Sequence, residues 1–307
     1  MNKHIILSDF YKSIFNCKVY KIALDAGCTC PNRDGTKAFG GCIFCSQNGS
    51  GDFVPNKILP IKEQVLEAIE KVQKKAKGRS GNNDVKYIAY FQNFTNTYGD
   101  YDDLEKKYKE SLSCKDVKGL AIATRPDCIN TEILNKIKCI SEEYFVQIEL
   151  GLQSSNDKTG ILINRQYTTA EYDYAVKLIK EVCPKVHLVT HVILGLPSET
   201  ENDMLETIRH IDIINRRYLA NNDLYGIKIT NLYVLKNTKL ETLYLQNKYN
   251  PLEKEEYYSL LKKCLSVLSN NTVIHRITGD PPKKSIVAPL WCTDKKRVLN
   301  EINKFLK

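Results

Sequence analysis

Four cysteines, Cys28, Cys30, Cys42 and Cys45, crowd the stretch GCTCPNRDGTKAFGGCIFCS, residues 27–46. Thiols at C-x-C and C-x-x-C spacing can close a disulfide, chelate zinc or hold an iron–sulfur cluster. Zinc would use all four in a tetrahedral set. A cubane would use three and leave one iron open. In either case the tight C-x-x-C turn aims two sulfurs at one metal site. The neighbouring glycines let the backbone approach and donate N–H groups to sulfur. The cysteines alone leave both metals open.

A disulfide framework fits poorly. The chain holds 11 cysteines, an odd number, spread from Cys17 to Cys292 over 307 residues. Secreted frameworks are short, loop-rich and usually even-numbered. Cys114, Cys139, Cys183 and Cys264 fall in helical patterns and read as small hydrophobes. The start, MNKHIILSDFYKSIF, lacks the apolar run of a secretory signal, and no stretch approaches the roughly 20 apolar residues of a spanning helix. A cytoplasmic protein is expected. Net charge is +9, compatible with an anionic partner. Between Pro281 and Lys307 lie seven basic residues (Lys283, Lys284, Lys295, Lys296, Arg297, Lys304, Lys307) and two acidic ones. A second basic run, KKAKGR, covers Lys74 to Arg79. Both could equally be solvated faces.

The elements that must position these residues alternate. VYKIALDA, from Val19 to Ala26, is strand-like and runs into the cysteine loop. IKEQVLEAIEKVQKKAKG places Val65, Ile69 and Val72 on one helical face. VKYIAYFQ, KGLAIATRP, YFVQIELGLQ, KVHLVTHVILGLP and LYGIKITNLYVL follow as strands, each succeeded by a helical pattern. Six βα units predict a parallel sheet with crossover helices, curled by right-handed crossovers into a partial (β/α)6 barrel. A doubly wound open sheet is the alternative. In both, the active site lies at the carboxyl ends of the strands, where the cysteine loop sits. Residues 1–270 form the expected barrel with an N-terminal extension. Residues 271–307, with TVIHRITGD and DKKRVLNEINKFLK, add a strand and a closing helix packed on it.

The residues around the cysteines narrow the choice. CPNRDGTKAFGGCIFCS resembles the cluster loop of radical S-adenosylmethionine (SAM) enzymes, in the form with a widened first gap between Cys30 and Cys42. YFQNFTNTY, ATRPD, IELGLQS, NRQYT, HVILGLPSET and ITNLYVLKNTKLE each resemble the matching strand end of that family, as do HRITGDPP and APLW. The resemblance spans essentially the whole chain and is strongest to the YhcC/MnmL-type group, whose core is similar to the Elongator catalytic subunit. It implies a TIM-like partial barrel of the radical SAM type. It also implies that Cys30, Cys42 and Cys45 hold a [4Fe-4S] cluster whose fourth iron is chelated by the amino and carboxylate groups of SAM. Relatives tend to carry an apolar or aromatic residue where Cys28 stands, so Cys28 is not assigned as a ligand.

The same resemblance distributes roles. Phe44 packs near the adenine. Gln92, Asn93 and Thr95 stand where relatives receive the methionine amino group. Arg165, and as a second candidate Arg125 beside Thr124, pairs with the methionine carboxylate through a fork geometry that favours arginine. Glu149 and Gln153, four residues apart on one strand, share a face. A carboxylate in an apolar strand needs a partner, either SAM or an internal ion pair. His191 falls near the ribose, or is a satisfied core histidine. Val234 and Leu235 close the adenine site. Tyr98 and Cys292 are candidate hydrogen donors to a product radical, although packing explains either.

The chemistry implied is reductive cleavage of SAM at the cluster to a 5′-deoxyadenosyl radical, with an electron from a carrier such as flavodoxin or ferredoxin. The group implies tRNA as partner and a wobble uridine as substrate, its carboxymethylaminomethyl substituent converted to aminomethyl. The basic carboxyl-terminal segment, with Trp291 and nearby tyrosines, would meet RNA by phosphate pairing and stacking. A radical SAM enzyme on a small molecule or peptide would share the core. A zinc-stabilised nucleic-acid-binding protein would use Cys28 with the other three cysteines.

Overall fold

The computed structural model describes residues 4–47, 49, 59–76, 85–220 and 223–306. The chain begins with β1 (Ile5–Ile6) and α1 (Leu7–Phe15). Six strand–helix units follow. β2 (Lys18–Leu24) leads through the cysteine loop to α2 (Ile61–Ala76), β3 (Val85–Phe91) to α3 (Tyr101–Leu112), and β4 (Val117–Thr124) to α4 (Thr131–Ser141). β5 (Phe145–Gln153) leads to a short α5 (Asp157–Leu162) and α6 (Thr169–Val182), and β6 (His187–Leu194) to α7 (Glu201–Tyr218). β7 (Tyr225–Asn231) is followed by β8 (Val234–Leu235), α8 (Lys239–Leu245) and α9 (Lys254–Val267). β9 (Thr272–Arg276), β10 (Ile286–Ala288) and α10 (Lys295–Phe305) finish the described chain. The basic run from Lys74 passes out of the described residues after Ala76.

The main sheet runs β1-β9-β7-β6-β5-β4-β3-β2, and each neighbouring pair is parallel. Its edges β1 and β2 stay apart in this order, so eight strands curl into a half-barrel that does not close. Alternation along each strand decides what each face meets. In β5, Val146, Ile148, Leu150 and Leu152 join one core with Val65 of α2, Leu104 of α3, Ile133 of α4, Tyr172 of α6, Ile208 of α7 and Leu261 of α9. The crossover helices therefore share one outer face, which excludes the doubly wound alternative. The intervening residues, among them Gln147 and Glu149, point inward.

The opening segment, in which the sequence shows no element, supplies the floor. Phe10 and Tyr11 of α1 are buried against Ile88, Tyr90, Ala121, Ala123 and Val273 on the inward face. Phe10 lies tilted against His187 with ring centroids 4.4 Å apart and meets Phe145 at 6.2 Å. Burying such a ring contributes about 1.5–3 kcal/mol. The plug closes the amino-terminal end of the half-barrel and leaves the carboxyl end hollow.

Two expected boundaries shift. The sixth strand stops at Asn231, and Val234–Leu235 pairs instead with β10 in a separate antiparallel ladder. Residues 271–307 are part of the main sheet through β9, which pairs with β7 on one side and β1 on the other. No described helix is long and apolar enough to cross a membrane.

Candidate active site

The hollow end holds a cavity of about 320 Å³. The cysteine loop forms one wall. Arg33 N–H donates to Cys30 O at 2.7 Å, Gly41 N–H to Asn32 O at 2.8 Å, and Cys45 N–H to Cys42 O at 3.0 Å, closing the C-x-x-C turn. The Arg33 guanidinium donates to the carbonyls of Cys45 and Ser46 and lies so close to Gly41 that a Cβ there would sit 3.0 Å from its Nε. Gly41 also has φ +75, so only glycine suits this position.

Cys30, Cys42 and Cys45 line the cavity. Cys28 points the other way and packs on the outer core, where burial pushes its thiol up to about 12. The donor set suits thiolates. Asn32 Nδ2 approaches Cys42 Sγ at 3.9 Å and Arg125 Nη1 approaches Cys30 Sγ at 3.8 Å. Such N–H groups around sulfur are what iron–sulfur ligands require. Burial, with Cys45 nearby, pushes the Cys42 thiol up to about 12, so its proton leaves only for a cation. Asn32 Oδ1 is buried without a partner. Among the described residues no three His, Cys, Asp or Glu side chains converge on the position of a single ion.

Of the other expected site residues, Phe44, Gln92, Thr95, Thr124, Arg125, Glu149, Gln153, His191 and Leu235 line the same cavity. Gln153 shares the inward face with Glu149, as their spacing predicts, although the β5–β6 register breaks beside it and its backbone is left-handed, φ +68. Thr124 Oγ1 pairs with Thr97 Oγ1 at 2.6 Å. Arg125 is clamped by Asp127 through Nε at 2.9 Å and Nη2 at 2.7 Å, and it lies over the Tyr167 ring.

Five expected residues do not reach the cavity. Arg165 is sealed, its guanidinium donating to the carbonyls of Tyr167, Leu152 and Ser154 and to Asp157 Oδ1. It braces the turn after α5 and does not reach the wall. Asn93 is turned away to donate to Asp25 Oδ2 at 2.7 Å. Val234 is buried in a side cluster with Ile43 and Leu240. Tyr98 pairs with Thr36 on the outside of the loop at 2.7 Å, and Cys292 donates to Pro289 O at 3.1 Å beneath β8 and β10. Neither faces a reacting centre. Tyr90, Tyr167 and Tyr233 do line the cavity.

Glu149 finds its partners inside the protein. Its carboxylate accepts from Lys21 Nζ at 2.5 Å, Tyr90 Oη at 2.7 Å, His191 Nε2 at 2.8 Å, Lys228 Nζ and Gln147 Nε2. Burial alone would raise its pKa, but Lys21, Lys228 and His191 hold it well below the usual carboxylate range. Burial, then Lys228, lowers His191 to about 4 against the opposing pull of Glu149, so the imidazole is neutral at pH 7. Lys21, Tyr90, Lys228 and Arg276 were not singled out in the sequence. For Lys21, Tyr90 and Lys228 the signal is parity: each lies at an inward position of its own strand, level with the one acidic residue facing them, whereas Arg276 has no such signal.

A half-barrel that holds three cysteines of a C-x11-C-x-x-C loop at its open end defines a class. The chain belongs to the radical SAM superfamily: the superfamily pattern matches residues 30–211, and that of the radical SAM C-terminal domain matches residues 224–307. Enzymes of this superfamily use a [4Fe-4S] cluster and SAM. The chain is 38% identical over 293 residues to the uncharacterised protein YtqA of Bacillus subtilis, covering 95% of this chain and 86% of YtqA. It is 30% identical over 290 residues to YhcC of Escherichia coli K12, covering 94% and 87%. A shorter match, 37% over 78 residues, covers 25% of this chain and 17% of a tRNA-2-methylthio-N(6)-dimethylallyladenosine synthase of Syntrophobacter fumaroxidans. In fold the chain is similar to Elp3 of Methanocaldococcus infernus, with a TM-score of 0.64 at 17% identity, over 93% of this chain and 63% of that structure.

Proposed function

We propose that this radical SAM enzyme modifies tRNA, converting the carboxymethylaminomethyl substituent of a wobble uridine to aminomethyl. The observation that carries the radical chemistry is the placing of Cys30, Cys42 and Cys45 on one cavity with Cys28 outside it. These three cysteines would hold the [4Fe-4S] cluster. When bound, the cluster and SAM supply a 5′-deoxyadenosyl radical able to take hydrogen from an unactivated C–H bond. The protein binds, orients and excludes water. Arg125, with Nε and one Nη engaged by Asp127, keeps N–H groups for the methionine carboxylate and takes the role expected of Arg165. Thr95 and Gln92 offer neutral polar partners to the amino group. Phe44 and Leu235 give an apolar seat for adenine. Glu149, saturated by donors of the protein, supports the floor and leaves SAM to the residues above it.

The tRNA reading rests on the family resemblance, on the partial match to a tRNA-modifying synthase, and on basic side chains near the mouth. Lys283, Lys284 and Lys296 are exposed, and the first two follow closely on Asp280, which lines the cavity. Lys295 and Arg297 are engaged with Asp280 and Glu301. Trp291 packs on Tyr257 and Tyr258 and donates to Leu252 O, so base stacking through it is withdrawn.

The test is anaerobic purification, an absorption spectrum, and reduction with SAM and tRNA followed by nucleoside mass spectrometry. A broad band near ~400 nm, release of 5′-deoxyadenosine and loss of the carboxymethyl group from the wobble uridine are expected. The first two without the third would remove tRNA as substrate. A colourless zinc protein would overturn the whole reading.

A further inference from the structure

The inner end of the cavity carries more positive charge than its one carboxylate balances. Lys21 of β2, Lys228 of β7 and Arg276 of β9 approach it from three strands, and Glu149 of β5 faces them. Lys21 and Lys228 both bind Glu149. Arg276 lines the cavity and has no hydrogen bond or ion pair among the described residues. Asp280, the other acid on the lining, is taken by Lys295 at 2.5 Å. Three cations therefore meet one available anion where Glu149 is 1% and Lys228 7% exposed. Burial pulls the pKa of both Lys21 and Lys228 down, against the opposing pull of Glu149.

The position of Arg276 is built. β7 and β9 run in register at Ile227↔Ile274 and resume at Lys228↔Arg276, leaving His275 as an extra residue. Regular alternation would turn Arg276 outward, toward the helices. The bulge keeps two consecutive residues inward: His275, whose Nε2 meets that of His187 at 2.9 Å, and Arg276 at the cavity. Gly226 makes room, because a Cβ there would stand 2.6 Å from His275 Nε2. Lys21 and Lys228 each lie three residues before the end of their strands, about 10 Å below the rim of the half-barrel.

We propose that Arg276 and Lys228 form a subsite for a terminal carboxylate of the substrate, and that the carboxymethylamino tail of the modified uridine ends there. The proposal rests on the tRNA reading for the identity of the substituent. The form of the cavity selects a terminal group. Below Tyr90 it is closed by Tyr11 and Phe10, so a phosphodiester, which continues on both sides, cannot thread it. A carboxylate at the tip of a short side chain can. Arg276 offers a fork suited to two carboxylate oxygens, and Lys228 a point charge beside it. The subsite would place the tail carboxylate at the floor and its CH2 group above, toward the mouth where the cysteines lie.

The experiment uses the cluster-loaded enzyme with SAM already bound, so that the methionine site is filled. The probes are N-methylglycine, which is the tail alone, and its amide, followed by saturation-transfer NMR. The acid is expected to bind at least about tenfold better than the amide. Arg276→Gln should erase that preference, and Arg276→Lys should restore part of it. Equal binding of acid and amide to the wild type, or a preference that survives Arg276→Gln, would overturn the subsite. Inorganic phosphate displacing the acid at equal concentration would overturn the assignment to carboxylate. Conversion of tRNA is measured in parallel. An Arg276-dependent preference without tRNA conversion sinks the tRNA reading and leaves the subsite standing; conversion without the preference does the reverse.

Discussion

The two ends of the half-barrel interior use the same strands for opposite purposes. At the amino end Phe10, Tyr11, Phe145, Ile88 and Val273 fill the space with rings and aliphatic groups. At the carboxyl end, inward positions further along β3, β5, β6 and β7 carry Tyr90, Glu149, His191 and Lys228 around a void. One amide joins the two. Gln147 accepts from Tyr11 Oη at 3.1 Å and donates to Glu149. At the packed end volume matters and similar shapes interchange. At the hollow end identity matters, because each group is charged, hydrogen-bonded or aimed at a ligand.

The largest effect expected from breaking that contrast falls on the cysteines. Cys42→Ala should abolish both the brown chromophore and SAM cleavage, whereas Cys28→Ala, a change in the outer core, should spare both. Iron content and 5′-deoxyadenosine release measure this, and loss of iron in Cys28→Ala would show that the loop uses a different ligand set. Next comes Glu149→Leu, which strips Lys21 and Lys228 of their counter-charge in a buried site. It should cost about 3–5 kcal/mol, while Phe10→Leu at the packed end should cost under about 1.5 kcal/mol. Urea unfolding of the two variants compares them directly, and equal losses would mean that the hollow end is as tolerant as the plug.

A third test, which breaks neither end, is a pH dependence that both ends share. Burial lowers His187 to about 3, with Lys180 and Lys21 adding to it, and lowers His191 to about 4 and His275 well below 6.5. The unfolded chain takes up protons near 6.5 that these folded imidazoles refuse. Stability should therefore be full above about pH 6.5 and fall as pH drops toward about 4. Each histidine contributes a slope of about 1.4 kcal/mol per pH unit in the steep part of that window. Urea midpoints at pH 7, 6 and 5 read this; a midpoint unchanged down to pH 5 would mean that the histidines are not held neutral.

Much of the outer architecture was legible because helix-facing residues recur at 3.6 and 2.0 residue periods. The site was legible where a motif names its own residues: Cys30, Cys42, Cys45, Thr124 and His191 all reach the cavity. Arg165 and Arg125 show the limit. Arg125 follows the end of β4 and Arg165 the end of α5, and only the tertiary path of the chain decides that one opens on the cavity and the other is walled in by backbone carbonyls. Arg276 shows another. Its inward direction depends on a bulge, and a register shift between two strands distant in sequence leaves no periodic trace in either. The α1 plug was missed because two residues of strand and nine of helix give too short a pattern.

The pairing of β1 with β9 matches Ile5 to Val273 and Ile6 to Ile274. In time as well as in space, the first strand of the main sheet waits for the last one to join it. During synthesis Ile5 and Ile6 have no ladder until about 270 further residues have left the ribosome, while β2 through β7 can pair in the order they emerge. Completion of the chain and completion of the floor are thus one event. A protein truncated before β9 would keep its cysteine loop and lose the edge that anchors the base of its own active site.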